Sequence, residues 1–212
     1  MIKALFFDFD GTISDTKKIA FESISETLKN EKFTFDSKKL RKLMGAKSKE
    51  IFKGLGLDKK YISRFRKDLF IDMKNKVSNG EIKLCTKIKP LKELSKKHIM
   101  IVISNGRNDF IRLSSKKLKT DKIFNHTYGS NSFKTKDKMI KKIARKYKLK
   151  HHEIMYVGDR FSDIRYARKA GVYAVAIHNP CAWSTMKEIL KEKPDFIVHN
   201  FEDLKKLVKK IK

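Results

Sequence analysis

Long apolar runs are missing from this chain. Stretches such as Ala4–Phe7 and Ile99–Ile103 fall far short of the roughly 20 residues that cross a bilayer, so no membrane span is expected. The first of them leads directly into two carboxylates, Asp8 and Asp10, and not into a small-residue cleavage site. No secretory signal is therefore expected, and the protein should stay in the cytoplasm. Cysteine is scarce: Cys85 and Cys181 stand in separate segments without metal-ligand spacing, which excludes a disulfide framework and gives both as packing residues. Three prolines and nine glycines form no low-complexity linker, and no internal repeat is present. The six histidines show no ligand spacing.

Acidic residues are also few, 24 against 52 basic ones, for a net charge of +28. Such an excess can signal a polyanionic partner. Its texture argues against one. Lysines make up 43 of the 52 and are spread over every segment, with no basic block and no helix face interleaved with aromatics. A small phosphorylated substrate would still be drawn in at low salt, which affects encounter rate and not chemistry.

What is present is enough for one good core and a smaller second one, with 40% hydrophobic and 36% charged residues over 212 positions. Residues 3–7 form a near-continuous apolar run, the pattern of a strand covered on both faces, and similar runs recur at Ile99–Ile103, Ile154–Val157 and Tyr173–Ile177. Weaker ones lie at 124–128 and 196–199. Helical patterns separate them: a short helix opened by Pro90, an amphipathic one over 136–148, and one capped by Ser162 and ended by Gly171. The alternation predicts an α/β fold with a doubly wound parallel sheet. About 70 residues between the first strand and the Pro90 helix exceed any simple crossover. Apolar residues at helical spacing in 17–31, 37–44, 48–55 and 58–78, with Ser37 and Ser48 as caps and Gly45 and Gly56 as stops, predict a small inserted α-helical domain. The expected division is 1–16 with 81–212 as the α/β core and 17–80 as the insert.

The chemistry concentrates at predicted strand ends. Residues two apart in a strand share a face about 6–7 Å apart, so Asp8 and Asp10 should face one site while Phe9 packs away, with Gly11-Thr12 making a tight turn. The crevice beyond the carboxyl ends of the strands is where open α/β sheets bind ligands. Ser104-Asn105-Gly106 after the second strand offers a hydroxyl and turn N–H groups suited to a phosphate oxygen. Asp159 and Asp163 add carboxylates after the strand 154–157. Converging carboxylates repel, a divalent cation resolves the repulsion, and oxygen ligands without His or Cys favour Mg2+ over zinc.

These residues, taken together, resemble the haloacid dehalogenase superfamily of phosphohydrolases, in particular its phosphoglycolate phosphatase-like branch with a helical cap. The resemblance covers nearly the whole chain: Asp8-x-Asp10-Gly11-Thr12 is similar to the first motif, Ser104-Asn105 to the second, a lysine near 136 to the third and Gly158-Asp159-x-x-x-Asp163 to the fourth. It implies a Mg2+-dependent phosphatase acting on a small-molecule phosphate monoester, such as phosphoglycolate, a sugar phosphate or a nucleotide. Asp8 would be the nucleophile that forms an aspartyl-phosphate, and Asp10 the acid and then the base. Mg2+ would be held by Asp8, the Asp10 carbonyl and Asp159, with Asp163 in support. Ser104, the Asn105 N–H, Gly106, Gly11 and Thr12 would hold the phosphoryl oxygens, with the lysine screening their charge. The acid at position 10 separates phosphate transfer from dehalogenation. A phosphomutase of the same fold would carry the same motifs. A basic nucleic-acid-binding protein without turnover is the reading from a different class, and the set Asp8, Asp10 and Asp159 argues against it. A monomer or weak dimer is expected.

Two parts of the match are loose. Lys134, Lys136 and Lys138 all stand near the third-motif position, and the proline that often follows this lysine is absent; Lys136, 23 residues before Asp159, is preferred because it begins the amphipathic helix. Lys47, in the Gly45–Ser48 turn, and Arg107, just past Gly106, are candidates for substrate contact.

Overall fold

The computed structural model describes residues 1–211. Its chain runs β1 (Ala4–Phe7), β2 (Ser14–Asp15), α1 (Lys17–Asn30), α2 (Ser37–Leu43), α3 (Ser48–Gly54), α4 (Lys59–Ser78), β3 (Lys83–Leu84), α5 (Lys89–Leu94), β4 (Ile99–Ile103) and α6 (Asn108–Lys117). It continues through β5 (His126–Tyr128), α7 (Lys136–Lys146), β6 (Ile154–Gly158), α8 (Phe161–Ala170), β7 (Tyr173–Ile177), α9 (Met186–Lys191), β8 (Phe196–Val198) and α10 (Phe201–Lys210). Six strands form one parallel sheet in the order β5-β4-β1-β6-β7-β8. No helix among the described residues is long and apolar enough to cross a membrane.

The apolar runs read as strands because both of their faces are covered. Leu5, Phe7, Val102 and Val157 point into a layer closed by Leu91 and Leu94 of α5, Ile111 of α6 and Phe201 and Leu204 of α10. Their neighbours Phe6, Ile101, Ile103 and Tyr156 point the other way, against Met139, Ile140 and Ile143 of α7 and Ile164 of α8. Each fully buried Phe or Ile contributes on the order of 1.5–3 kcal/mol, and this two-sided burial holds β1 in the centre of the sheet.

Helices α1 to α4 make a separate apolar cluster around Ile24, Leu28, Phe52, Phe65 and Leu69, which also takes in Phe110 of α6. The chain leaves and re-enters the core through β2 and β3, which pair antiparallel. The expected serine caps sit inside their helices. Asp36 caps α2 through the Lys38 N–H, Lys47 precedes α3, and Arg160 precedes α8, so Ser37, Ser48 and Ser162 fall in first turns. Asp36 wins because its side-chain oxygen accepts that N–H directly. Gly45, Gly56 and Gly171 do follow helix ends with positive φ. Cys85 and Cys181, distant in sequence, bring their thiols into contact, and both are free.

Four helix ends lack the usual glycine. Lys32, Lys119, Lys148 and Lys193 occupy left-handed backbone (φ 51–55°) two residues past α1, α6, α7 and α9. A side chain there is disfavoured by about 1–2 kcal/mol, partly offset by the unfolded-state freedom a glycine would add. Replacing all four, far apart in sequence and exposed, by glycine is expected to stabilise the fold by roughly 2 kcal/mol in total. Urea unfolding checks this through the midpoint, which should rise with an unchanged slope.

Candidate active site

Order reverses in the sheet at β1, whose neighbours are β4 and β6, so the carboxyl ends of these three strands open onto one crevice. Asp8 follows β1, Ser104 follows β4 and Asp159 follows β6, and the fold brings all three to that crevice. Asp8 is 4% exposed. Its N–H still pairs with Val157 O at 2.9 Å, so the backbone leaves the strand only after the carboxylate is placed. Phe9 turns into the core, and Asp8 and Asp10 both line the same cavity.

Lys136 begins α7 and is 2% exposed. Its ammonium lies 2.9 Å from Asp8 Oδ2 and 2.6 Å from Asp163 Oδ1, and 5.6 Å from the centre of the Tyr156 ring. Burial alone would lower its pKa, but the Asp163 and Asp8 charges outweigh this and hold it well above the usual lysine value. Lys134 and Lys138 are exposed. Of the three lysines, only Lys136 reaches the carboxylates.

Asp10 has different company. Thr16 Oγ1 donates to its Oδ1 at 2.7 Å and Ser104 Oγ to its Oδ2 at 3.1 Å. Burial, and next the Asp8 charge, push it up to about 6, so it can still hold a proton close to neutral pH. Asp159 and Asp163 are wholly buried. Burial raises both, and for Asp159 the charges of Asp163 and Asp8 add to the rise. Asp159 Oδ1 accepts from Thr12 Oγ1 and Oδ2 from the Trp183 N–H, each at 2.8 Å. Asp163 Oδ2 accepts from the Arg160 N–H at 3.2 Å.

Oxygens of Asp8, Asp159 and Asp163 lie within 4.8 Å of one another. One ammonium among three buried carboxylates, with no nitrogen or sulfur ligand in the group, leaves an excess of negative charge. That donor set fits Mg2+.

Several expected contacts fall elsewhere. The Thr12 hydroxyl is taken up by Asp159, and Gly11 supports the same residue: at φ +80° it brings the turn so close that a Cβ would lie 2.4 Å from Asp159 Oδ2 and from Trp183 Cδ1. Neither lines the cavity, whereas Ser104, Asn105 and Gly106 do. The Asn105 side chain donates to Gly45 O at 3.1 Å and so ties the second motif to the turn after α2. Lys47 is not brought to the cavity; its ammonium reaches the carbonyls of Ser130, Phe133 and Lys134 at 3.3, 2.8 and 3.2 Å, because these otherwise open acceptors lie opposite the start of α3. Arg107 likewise pairs with Asp109 at 3.0 Å and lies 5.0 Å from the Phe70 ring centre.

Sequence reading passed over Thr16, Arg160, Asn179 and Trp183. Asn179 Nδ2 donates to Gly11 O at 3.1 Å, and Arg160 and Trp183 line the cavity. The signal available for Asn179 and Trp183 was their position: they follow β7, the next strand whose carboxyl end borders the crevice.

The chain matches the haloacid dehalogenase-like hydrolase family over residues 5–177. It is 29% identical, over a 222-residue alignment covering 98% of this chain and 95% of the relative, to a protein of Caldanaerobacter subterraneus named as a candidate pyrophosphatase, PpaX. Among solved structures it superposes on a haloacid dehalogenase-like family hydrolase from Streptococcus pneumoniae with a TM-score of 0.84, 25% identity and 98% of both chains covered. It shares its fold with a predicted phosphoglycolate phosphatase from Haemophilus somnus, at a TM-score of 0.85, 20% identity and 98% of both chains. With its sheet, its strand-end carboxylates and this match, the chain belongs to the haloacid dehalogenase-like hydrolases.

Proposed function

We propose that this hydrolase is a Mg2+-dependent phosphatase that cleaves small-molecule phosphate monoesters through an aspartyl-phosphate on Asp8. One observation carries the reading. Two carboxyl groups on the same cavity wall have different company: Asp8 lies beside the Lys136 ammonium at 2.9 Å, and Asp10 lies among hydroxyls with its pKa raised to about 6. A carboxylate nucleophile next to a carboxyl group that can give and take a proton is what phosphoryl transfer from an alcohol requires.

Asp8 Oδ attacks phosphorus, and the bond to the leaving oxygen breaks on the opposite side. Asp10 gives its proton to that oxygen, then takes one from the water that attacks the acyl phosphate and returns Asp8 to its starting state. Thr16 and Ser104, each donating to Asp10, fix its carboxyl group for both transfers. Ser104, Asn105 and Gly106 bound the phosphoryl side of the cavity, and Lys136 offsets charge on Asp8. Asp8 and Asp159, with the Asp10 carbonyl and with Asp163 in support, would hold Mg2+, which would supply charge neutralisation between nucleophile and phosphate. Residues 17–80 act as a cap that excludes water, fastened by Lys47 and by the Asn105–Gly45 hydrogen bond. A phosphomutase would use the same carboxylates, but the largely apolar cavity offers a sugar's hydroxyls few partners.

Phosphate release from p-nitrophenyl phosphate tests the proposal. Activity should fall to background in EDTA and return with excess Mg2+. Turnover indifferent to chelation, or no release from any monoester in Mg2+, would contradict it.

A further inference from the structure

Beyond the phosphoryl side, the cavity changes character. Its far wall is Ile24, Met44, Ile51, Leu69, Phe70 and Met73, all from the helical insert. In a chain with 52 basic residues, no lysine lines this wall. The cations that could reach it are turned away to named partners: Lys47 to the 130–134 carbonyls, and both Arg107 and Lys74 to Asp109. Of the polar groups that remain, the Trp183 indole N–H has no partner and the others are engaged. Ser48 Oγ accepts from Arg66 Nε at 3.0 Å, and Asn105 Nδ2 donates to Gly45 O.

Arg160 is the one cation on the lining. It sits at the seam between insert and core, so close to Gly45 that a Cβ there would meet its Nη1 at 2.6 Å, and its guanidinium carbon lies 5.5 Å from the Phe161 ring centre. It also borders a second, outer groove, as do Met44 and Trp183, and so stands where the two cavities meet. The cavity, which opens to solvent, has a volume of about 70 Å³.

From this wall we infer that the substrate, on the phosphatase reading above, is the phosphate monoester of a compact, uncharged, mainly apolar alcohol. A charged leaving group would lose its hydration on entry and find no counter-charge on the wall. A hydroxyl-rich one would leave its donors unpaired. A short aliphatic group gives up nothing on entry and gains the burial of its methylenes.

Three esters of similar size separate the possibilities: propyl phosphate, 2-phosphoglycolate and 2-aminoethyl phosphate, each assayed for kcat/KM by phosphate release with Mg2+. Propyl phosphate should exceed both others at least tenfold. Equal or better turnover of 2-phosphoglycolate would overturn the inference and give the recognition role to Arg160; equal or better turnover of 2-aminoethyl phosphate would overturn it too. Hydrolysis of p-nitrophenyl phosphate with none of the three esters cleaved would overturn the inference alone, whereas no release from any monoester would overturn the phosphatase reading itself. Met73→Lys, which sets an ammonium in the apolar wall, should shift the propyl-to-glycolate ratio toward 2-phosphoglycolate at least tenfold. An unchanged ratio in a variant shown by thermal unfolding to be folded would remove this wall from the account. The comparison on the unsubstituted protein decides the matter even where that variant does not fold.

Discussion

Asp8→Asn is expected to fold and to lose turnover by at least about a thousandfold, equivalent to roughly 4 kcal/mol of transition-state stabilisation. The amide keeps the shape of the carboxylate, so its oxygen can still accept from the Phe9 N–H, which lies 2.7 Å from Asp8 Oδ1. What it loses is nucleophilicity toward phosphorus. Stability should move the other way from activity. Asp8 is one of the charges that raise the pKa values of Asp10, Asp159 and Asp163, so its removal relieves repulsion in the metal-free protein, while Lys136 keeps Asp163 at 2.6 Å. Thermal unfolding in EDTA should give a midpoint equal to or above that of the unsubstituted chain. A steady-state rate within tenfold of the original would remove Asp8 from the chemistry.

Lys136→Met should have the largest effect on the fold itself. The side chains are of similar length, so the change removes charge more than volume. Asp8 and Asp163 are then left buried without the ammonium that touches both. Taking one partner from a buried ion pair costs roughly 3–5 kcal/mol, a large share of the 5–15 kcal/mol that holds a typical domain folded. Added Mg2+ should restore part of it by binding the same carboxylates in the folded state only. Lys134→Met and Lys138→Met are the controls: both positions are exposed, and changes there should stay within about 0.5 kcal/mol and leave turnover intact. Denaturant unfolding of the three variants with and without Mg2+ checks the set. Equal tolerance at all three positions would show that the buried triad contributes nothing.

The parts of this molecule legible in its sequence are those fixed by local pattern. Phe6 and Phe7 announce a strand covered on both faces, and a carboxylate straight after such a run has to sit at a strand tip, which is where Asp8 and Asp159 are found. Lys136 could be preferred over its neighbours because amphipathic spacing fixes where a helix starts, and the first residue of α7 faces the sheet. Directions of long side chains were not legible. Lys47 and Arg107 both neighbour the site in sequence, yet each has three or more rotatable bonds and swings to the partners tertiary packing offers, carbonyls for one and Asp109 with Phe70 for the other. A hydroxyl beside two carboxylates, as at Thr12, suits a phosphate ligand or a carboxylate partner equally, and only the approach of β6 from 147 residues away gives it to Asp159. The contact between Cys85 and Cys181 has the same origin: no spacing rule foretells that the residue after β3 and the loop after β7 meet.

A covalent step at Asp8 is the centre of the proposed mechanism. Its most direct test is an acid quench during turnover of a monoester with Mg2+, followed by peptide mass spectrometry of the N-terminal segment. The result expected is one added phosphoryl group on the peptide containing Asp8, absent from Asp8→Asn and cleared when substrate is exhausted. Phosphate released at full rate with no phosphoryl group on that peptide, or with one on a different residue, would contradict it.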